Sequence, residues 1–261
     1  MPELPEVETV VRTLAPRLCG SRIVSASFTS RFVTPGDRRA LARRMAGRRI
    51  ESVHRRGKFI VIELDRGMLA VHLGMTGKLL WDAKAGEHTR GVFTLDSGTL
   101  LYDDARQFGR IEWSPARLAR LGPEPLEIGW EEFFARLGRR HARLKPLLLN
   151  QTFLAGLGNI YVDETLFAAG IHPLAIASRL SASRAARLYQ AMRDVVRLAV
   201  EHRGSSISDY VDAEGNRGGF QLLHRVYGRE GEPCVRCGAP IKKIVVAQRG
   251  THYCSRCQTK G

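Results

Sequence analysis

Leu121-Gly122-Pro123-Glu124-Pro125-Leu126 is a linker, and the hydrophobic pattern differs on its two sides. Two prolines and a glycine so close together stop helix and strand alike. On the N-terminal side, short apolar or alternating runs recur at Ile23–Phe28, Ile50–His54, Phe59–Leu64, Leu69–Leu73, Val92–Leu95, Thr99–Tyr102 and Ile111–Trp113. Turn residues such as Asp65-Arg66-Gly67 and Asp96-Ser97-Gly98 separate them, which predicts a sandwich or barrel of short strands. A helix is expected over about residues 3–18, where Val7, Val10, Val11, Leu14 and Leu18 share a face, with Pro16 distorting or ending its last turn. A weaker helix, Arg38–Ala46, interrupts the strands. On the C-terminal side the pattern turns helical at Trp130–Leu137, Leu144–Leu149, Ile160–Ala168 and Ala182–His202. Ser208–Gly219 is polar, Gly-rich and aperiodic, and reads as a mobile loop. The chain is thus α+β and multidomain, with expected boundaries at 1–120, 121–225 and 226–261.

The last of these segments holds four of the five cysteines. Cys234-x-x-Cys237 and Cys254-x-x-Cys257 are separated by 16 residues. Each pair forms a knuckle whose thiolates point at one ion, and four soft sulfurs in a closed tetrahedron suit a single structural Zn²⁺ better than two disulfides. Two strands, Ile241–Ala247 and Thr251–Tyr253, are expected between the knuckles, joined through Gln248-Arg249-Gly250. No His or carboxylate joins the four sulfurs, so no open catalytic position on the metal is implied. A tail this short has too little core to fold unaided, so the metal supplies much of its stability. Cys19 stands alone and reads as a small buried hydrophobe.

The first six residues, Met1-Pro2-Glu3-Leu4-Pro5-Glu6, carry a different chemistry. Removal of Met1 exposes Pro2 as a secondary amine. An α-amino group titrates near pH ~8, against ~10.4 for lysine, so part of it is neutral and nucleophilic at physiological pH without burial. Glu3 and Glu6 lie within one helical turn and can move protons. A secondary amine attacking a sugar or carbonyl carbon gives an iminium, which opens an elimination route. Read structurally, the same segment is a Pro-rich helix cap.

Lys plus Arg total 41 against 26 Asp plus Glu, a formal charge of +15. The excess favours a polyanionic partner, and the dominance of arginine favours bidentate phosphate contact; a GC-rich genome offers a compositional explanation of the same arginines. No apolar run reaches the ~18 residues of a membrane span, and no basic-then-apolar leader opens the chain, so the cytoplasm is the expected compartment. No heptad pattern appears, and a monomer is expected.

These pieces together resemble the bacterial formamidopyrimidine-DNA glycosylases, within the formamidopyrimidine glycosylase and endonuclease VIII family. The resemblance runs through Pro2-Glu3-Leu4-Pro5-Glu6-Val7-Glu8-Thr9, Arg55-Arg-Gly-Lys58, His72-Leu-Gly-Met75, Asp104-Ala-Arg-Gln-Phe-Gly109, the linker, Gly158-Asn-Ile-Tyr161, Ala168-Ala-Gly-Ile-His-Pro173 and Val246-Ala-Gln-Arg-Gly-Thr-His-Tyr253. Leu4, where endonuclease VIII has Gly, favours the first branch. The resemblance implies an N-terminal β-sandwich with flanking helices, a helix–two-turns–helix domain and a C-terminal zinc hairpin finger with four cysteine ligands, with double-stranded DNA bearing oxidised bases as partner in a basic cleft. It implies that Pro2 attacks C1′ of the damaged nucleotide, that Glu3 protonates the ring oxygen, and that Glu6 supports this geometry. Lys58 and Arg249 would grip phosphates beside the lesion and assist the eliminations. His72, His88, Arg140, Lys145 and Asn159 would contact the DNA backbone. Met75, Arg106 and Phe108 would fill the gap left by the extruded base, with Arg106 facing its orphaned partner, and the Tyr210–Gln221 loop would cap the extruded base.

Two departures stand out. Where the family wedge reads Asp-Pro-Arg-Arg-Phe-Gly, this chain has Ala105 and Gln107, which leaves loop rigidity and opposite-base selectivity open. Phe220 stands where a Tyr is common. The implied activity is excision of oxidised purines (8-oxoguanine opposite cytosine, formamidopyrimidines) with β,δ-elimination at the sugar. The alternatives are an endonuclease VIII-like enzyme for oxidised pyrimidines and a non-catalytic zinc-ribbon protein. Retention of Pro2, Glu3 and Lys58 weighs against the last.

Overall fold

The computed structural model describes residues 1–207 and 209–260. The chain divides into two compact units, one of residues 1–119 with 202–219 and one of residues 120–201 with 220–261.

The first unit is a β-sandwich. Helix α1 (Leu4–Leu18) opens it, then β1 (Ile23–Phe28), α2 (Arg38–Met45), β2 (Ile50–Arg56), β3 (Phe59–Leu64), β4 (Met68–His72), β5 (Lys78–Trp81), β6 (Thr89–Leu95), β7 (Gly98–Asp103) and β8 (Arg110–Trp113). One sheet runs β1-β6-β7-β5 and the other β2-β3-β4-β8, every pair antiparallel. Val7, Val10, Leu14 and Leu18 of α1 enter one core with Val53, Ile60, Ile62 and Val71 of one sheet and Leu79, Phe93 and Leu100 of the other. The helical 3–4 spacing of α1 and the alternation of the strands therefore serve the same core. Pro16 does not end α1, which continues to Leu18, and Cys19, the C-cap that follows, is exposed and not buried as expected. The carbonyl that the missing N–H of Pro16 leaves over belongs to Arg12, an exposed residue. Strand β5 went unpredicted: four residues give no readable alternation.

Register fixes which residues share one end of the second sheet. Arg56 pairs with Phe59, Phe59 with His72, and His72 with Arg110, in a row beside the Gly57-Lys58 turn.

Residues 209–219 are better anchored than their composition suggests; Ser208 lies outside the described residues. Asp212, 1% exposed, accepts from the N–H groups of Glu214 and Asn216 at 3.0 and 2.8 Å and pairs with Arg203 at 3.1 Å. The Ala213 carbonyl accepts from Trp81 N–H at 3.0 Å. An Asx-centred turn thus replaces the periodic contacts that a sequence pattern would reveal.

The second unit begins at the linker and contains α3 (Trp130–Gly138), α4 (Leu144–Leu149), α5 (Asn159–Ala169) and α6 (Ala182–Glu201), followed by the hairpin of β9 (Lys242–Val246) and β10 (Arg249–Tyr253). Helices α4 and α5 are joined by successive turns over residues 150–158, as the expected helix–two-turns–helix requires. Helix α5 is buried almost all round, which fits its lack of an amphipathic stripe. Phe167 of α5 shares a small apolar cluster with Val226, Cys234, Ala239, Ile241 and Cys254 of the finger.

Candidate active site

Pro2, Glu3 and Glu6 converge at the head of α1, all buried. Glu3 is the N-cap residue. The Glu6 carboxylate accepts from Glu3 N–H at 2.8 Å through one oxygen and from Ser205 N–H at 2.7 Å through the other. One side chain thereby fixes both the residue after Pro2 and the 202–219 segment. The Tyr210 hydroxyl donates to the Glu6 carbonyl at 3.2 Å and adds a third tie. Gly204 has φ +74, and a Cβ there would lie 2.6 Å from Glu6 Oε1, so the close approach requires glycine.

Lys58 is 6% exposed on the β2–β3 turn, where Gly57 has φ +58. Arg55 braces the turn: its guanidinium donates to Glu8 of α1 at 3.0 Å and to the Gly57 carbonyl at 3.2 Å. The Arg55-Arg-Gly-Lys58 run is therefore more than a source of charge. His72, opposite Phe59 in the register, lies against that ring at a tilt of 58°, the centroids 4.9 Å apart. Burial, reinforced by the charges of Lys58, Arg117 and Arg110, pulls its pKa down to about 4. Its Nδ1 accepts from Gly74 N–H at 3.1 Å, so the neutral ring carries its proton on Nε2.

Met75 and Phe108 protrude, 39% and 52% exposed, from two loops locked together. Asp104, fully buried, accepts from Thr76 Oγ1 at 2.5 Å and from Gly109 N–H at 2.8 Å, and Thr76 Oγ1 in turn accepts from Arg106 N–H at 3.1 Å. Gly74 has φ +60, and a Cβ on it would sit 2.5 Å from the backbone of Phe108 and Gly109. Arg106 Cζ lies 4.7 Å from the Phe108 ring centroid. His88 is exposed, and its carbonyl accepts from Asp104 N–H at 2.9 Å.

In the second unit the four cysteine sulfurs lie within 4.8 Å of one another, with Cys237 and Cys254 at 3.5 Å and Cys234 and Cys257 at 3.9 Å. Ligands about 2.3 Å from a tetrahedral zinc stand about 3.8 Å apart, whereas a disulfide needs about 2.05 Å. The donor set fits one structural Zn²⁺. Burial and the neighbouring thiols push Cys257 up to about 12, a crowding that a cation relieves.

The hairpin turn falls on Ala247 and Gln248, with φ +48 and +59, one residue earlier than the sequence suggested. Arg249 thus starts β10, paired with Val246, its side chain exposed and its backbone fixed by the ladder. Behind it, the Gly250 carbonyl accepts from Asn159 Nδ2 at 2.9 Å and Lys145 Nζ at 3.2 Å. Lys145 is fully enclosed and pairs with equally buried Asp163 at 2.6 Å. Its ammonium thus bridges α5 and the finger. Asn159 is half-buried at the first position of α5. Arg140 is exposed just beyond α3.

Residues 1–111 match the formamidopyrimidine-DNA glycosylase N-terminal domain, residues 121–211 its H2TH domain, and residues 231–260 the zinc finger found in FPG and IleRS. The formamidopyrimidine-DNA glycosylase of Solibacter usitatus is 57% identical over the full length of both chains. The chain belongs to the formamidopyrimidine-DNA glycosylase family. Among solved structures, the MutM (Fpg) protein of Thermus thermophilus superposes with a TM-score of 0.90 at 43% identity, each chain fully covered. A Lactococcus lactis FPG mutant in complex with Fapy-dG-containing DNA gives 0.91 at 38% identity, covering 99% of this chain and 100% of that one.

Thr76, Asp163 and Ser205, and the supporting bonds of Asp104 and Tyr210, hold this family's motifs here without any role assigned to them from the sequence. Their partners are distant in the chain or are backbone groups, and neither leaves a local pattern. Only Asp104, a carboxylate at the mouth of a loop, carried a readable turn signal.

Proposed function

We propose that this protein is a bifunctional DNA glycosylase and abasic-site lyase of base excision repair. Its substrates are oxidised purines in duplex DNA, 8-oxoguanine opposite cytosine and formamidopyrimidines among them. The observation that carries the reading is the buried head of α1, where Pro2 precedes Glu3 and Glu6 bonds both Glu3 and Ser205. The positive end of a helix disfavours an ammonium beside it, so the trimmed Pro2 amine is biased toward its nucleophilic form. Pro2 nitrogen bonds to C1′; the C1′–N9 bond breaks, its electron pair leaves with the base, and the base takes up a proton. Glu3 protonates the ring oxygen as the sugar opens to an iminium. Loss of a C2′ proton then expels the 3′ phosphate, and a further elimination expels the 5′ phosphate.

Around this centre, Lys58, neutral His72 and His88 serve the backbone near the sugar. Met75, Arg106 and Phe108 fill the space of the extruded base, which must leave the stack before Pro2 can reach its sugar. Arg249, Arg140 and Asn159 hold phosphates. The protein acts as a monomer in the bacterial cytoplasm; among the described residues no helix is long and apolar enough to cross a membrane.

The test is single-turnover excision and borohydride trapping on matched duplexes holding 8-oxoguanine, a formamidopyrimidine or thymine glycol. Faster processing of the two purine lesions is expected. Faster thymine glycol release would assign the protein to oxidised pyrimidines instead, and nicks carrying only β-elimination ends would remove the δ step.

A further inference from the structure

Two loops of the first unit each hold a phenylalanine out of the core with an arginine over its ring. One is the Arg106–Phe108 wedge. The other is Phe32, 55% exposed, with Arg31 Cζ 5.1 Å from its centroid. A single exposed aromatic is ordinary. This one sits on an anchored loop. Val33 is fully buried, its carbonyl accepts from Ile111 N–H at 2.8 Å, and Thr34 N–H donates to the Ser30 carbonyl at 3.0 Å.

The Ser30 hydroxyl accepts from the N–H groups of Phe32 and Val33, each at 3.2 Å. Its proton is left for Gln107 Oε1, 2.6 Å away. Gln107 lies between Arg106 and Phe108 at φ +55, and it is one of the two positions where the wedge departs from the family pattern. One hydrogen bond therefore ties the second Arg–Phe pair to the wedge loop.

The surroundings select the occupant. Helix α2, which follows this loop, carries Arg38, Arg39, Arg43 and Arg44, opposed by the single carboxylate of its N-cap Asp37. A lone ring under a guanidinium, flanked by positive charge, is too small an apolar area for a protein partner and suits a sugar face beside a phosphate.

Resting on the DNA reading above, we propose that Arg31 and Phe32 form a second DNA contact, held in register with the wedge by the Ser30–Gln107 hydrogen bond. Phe32 packs on a deoxyribose and Arg31 bonds a phosphate of the strand opposite the lesion, beside the orphaned base that Arg106 faces. Gln107 thus gives the wedge a brace that locks both loops before DNA arrives.

The test uses the full zinc-loaded chain with Arg31→Ala, Phe32→Ala and Ser30→Ala, and a fluorescent duplex carrying a tetrahydrofuran abasic analogue opposite cytosine. Loss of Phe32 weakens binding about tenfold, in the range of a lost aromatic contact. Loss of Arg31 lowers the slope of log affinity against log salt by about one. Neutral methylphosphonates in the strand opposite the analogue weaken wild-type binding but leave Arg31→Ala unaffected. Ser30→Ala weakens binding, and the further loss on adding Phe32→Ala is smaller than Phe32→Ala causes alone. Wild-type affinity and slope in both the Arg31 and Phe32 variants would overturn the second contact while leaving the glycosylase reading intact. So would a loss of binding that merely tracks a lowered melting temperature. Failure of the wild-type chain to bind the duplex at all would remove both.

Discussion

Two residues separate electrostatic appearance from role. Lys145, which the family resemblance places among the DNA contacts, is buried against Asp163. Removing one partner of a buried pair strands the other, at about 3–5 kcal/mol. Lys145→Met is therefore expected to lose stability on that scale in urea unfolding, while the salt slope of DNA binding by the folded variant stays at its wild-type value. A slope reduced by about one would restore the phosphate contact. His72 makes the complementary point. Its folded pKa, about 4, lies below the ~6.5 of an exposed imidazole. The unfolded chain therefore binds more protons than the folded one between these values, and stability falls as the pH drops from about 6.5 to about 4. His224, lowered to about 4 by burial, adds to the same slope. His72→Gln is expected to flatten the urea midpoint against pH in this window; an unchanged slope would mean that His72 is charged in the folded protein.

At the level of elements, the wedge depends on two backbones passing too close for a side chain. Gly74→Ala puts a methyl 2.5 Å from the Gly109 nitrogen at φ +60, and a loss of at least about 2 kcal/mol is expected together with weakened binding to abasic-analogue DNA. A variant of wild-type stability and affinity would show that the loops are not locked. The same elements mark what could be read in the chain beforehand. Strand β3 and helix α6 announce themselves through long apolar patterns, and the four cysteines through spacing alone. Pro2 is a candidate from the chemistry of the first six residues, whereas Lys58 and Arg249 become candidates through motif resemblance alone. Short β5, the persistence of α1 past Pro16 and the order of residues 209–219 were not legible. Each depends on tertiary partners, such as Ala213 bonding Trp81, that leave no periodic trace. The burial of Lys145 has the same origin: sequence shows a charge but not the carboxylate folded against it.

For the whole molecule, the metal and the net charge set the conditions of function. Structural zinc contributes about 10–16 kcal/mol in isolated finger peptides at neutral pH. Here the finger shares its core with Phe167 of α5 and presents the Gly250 carbonyl to Lys145 and Asn159. Chelation is expected to lower the melting temperature and to abolish DNA binding in parallel, with one zinc recovered per chain; binding retained after complete removal would make the finger dispensable. The formal charge of +15 makes all such affinities meaningful only at a stated salt concentration.

The central claim is that the amine of Pro2 forms the covalent bond to DNA. Borohydride reduction on 8-oxoguanine duplex, followed by proteolysis and mass spectrometry, is expected to find the sugar remnant on a peptide that begins at Pro2, with Met1 gone. A remnant on a lysine, or full excision by protein that retains Met1, would contradict it.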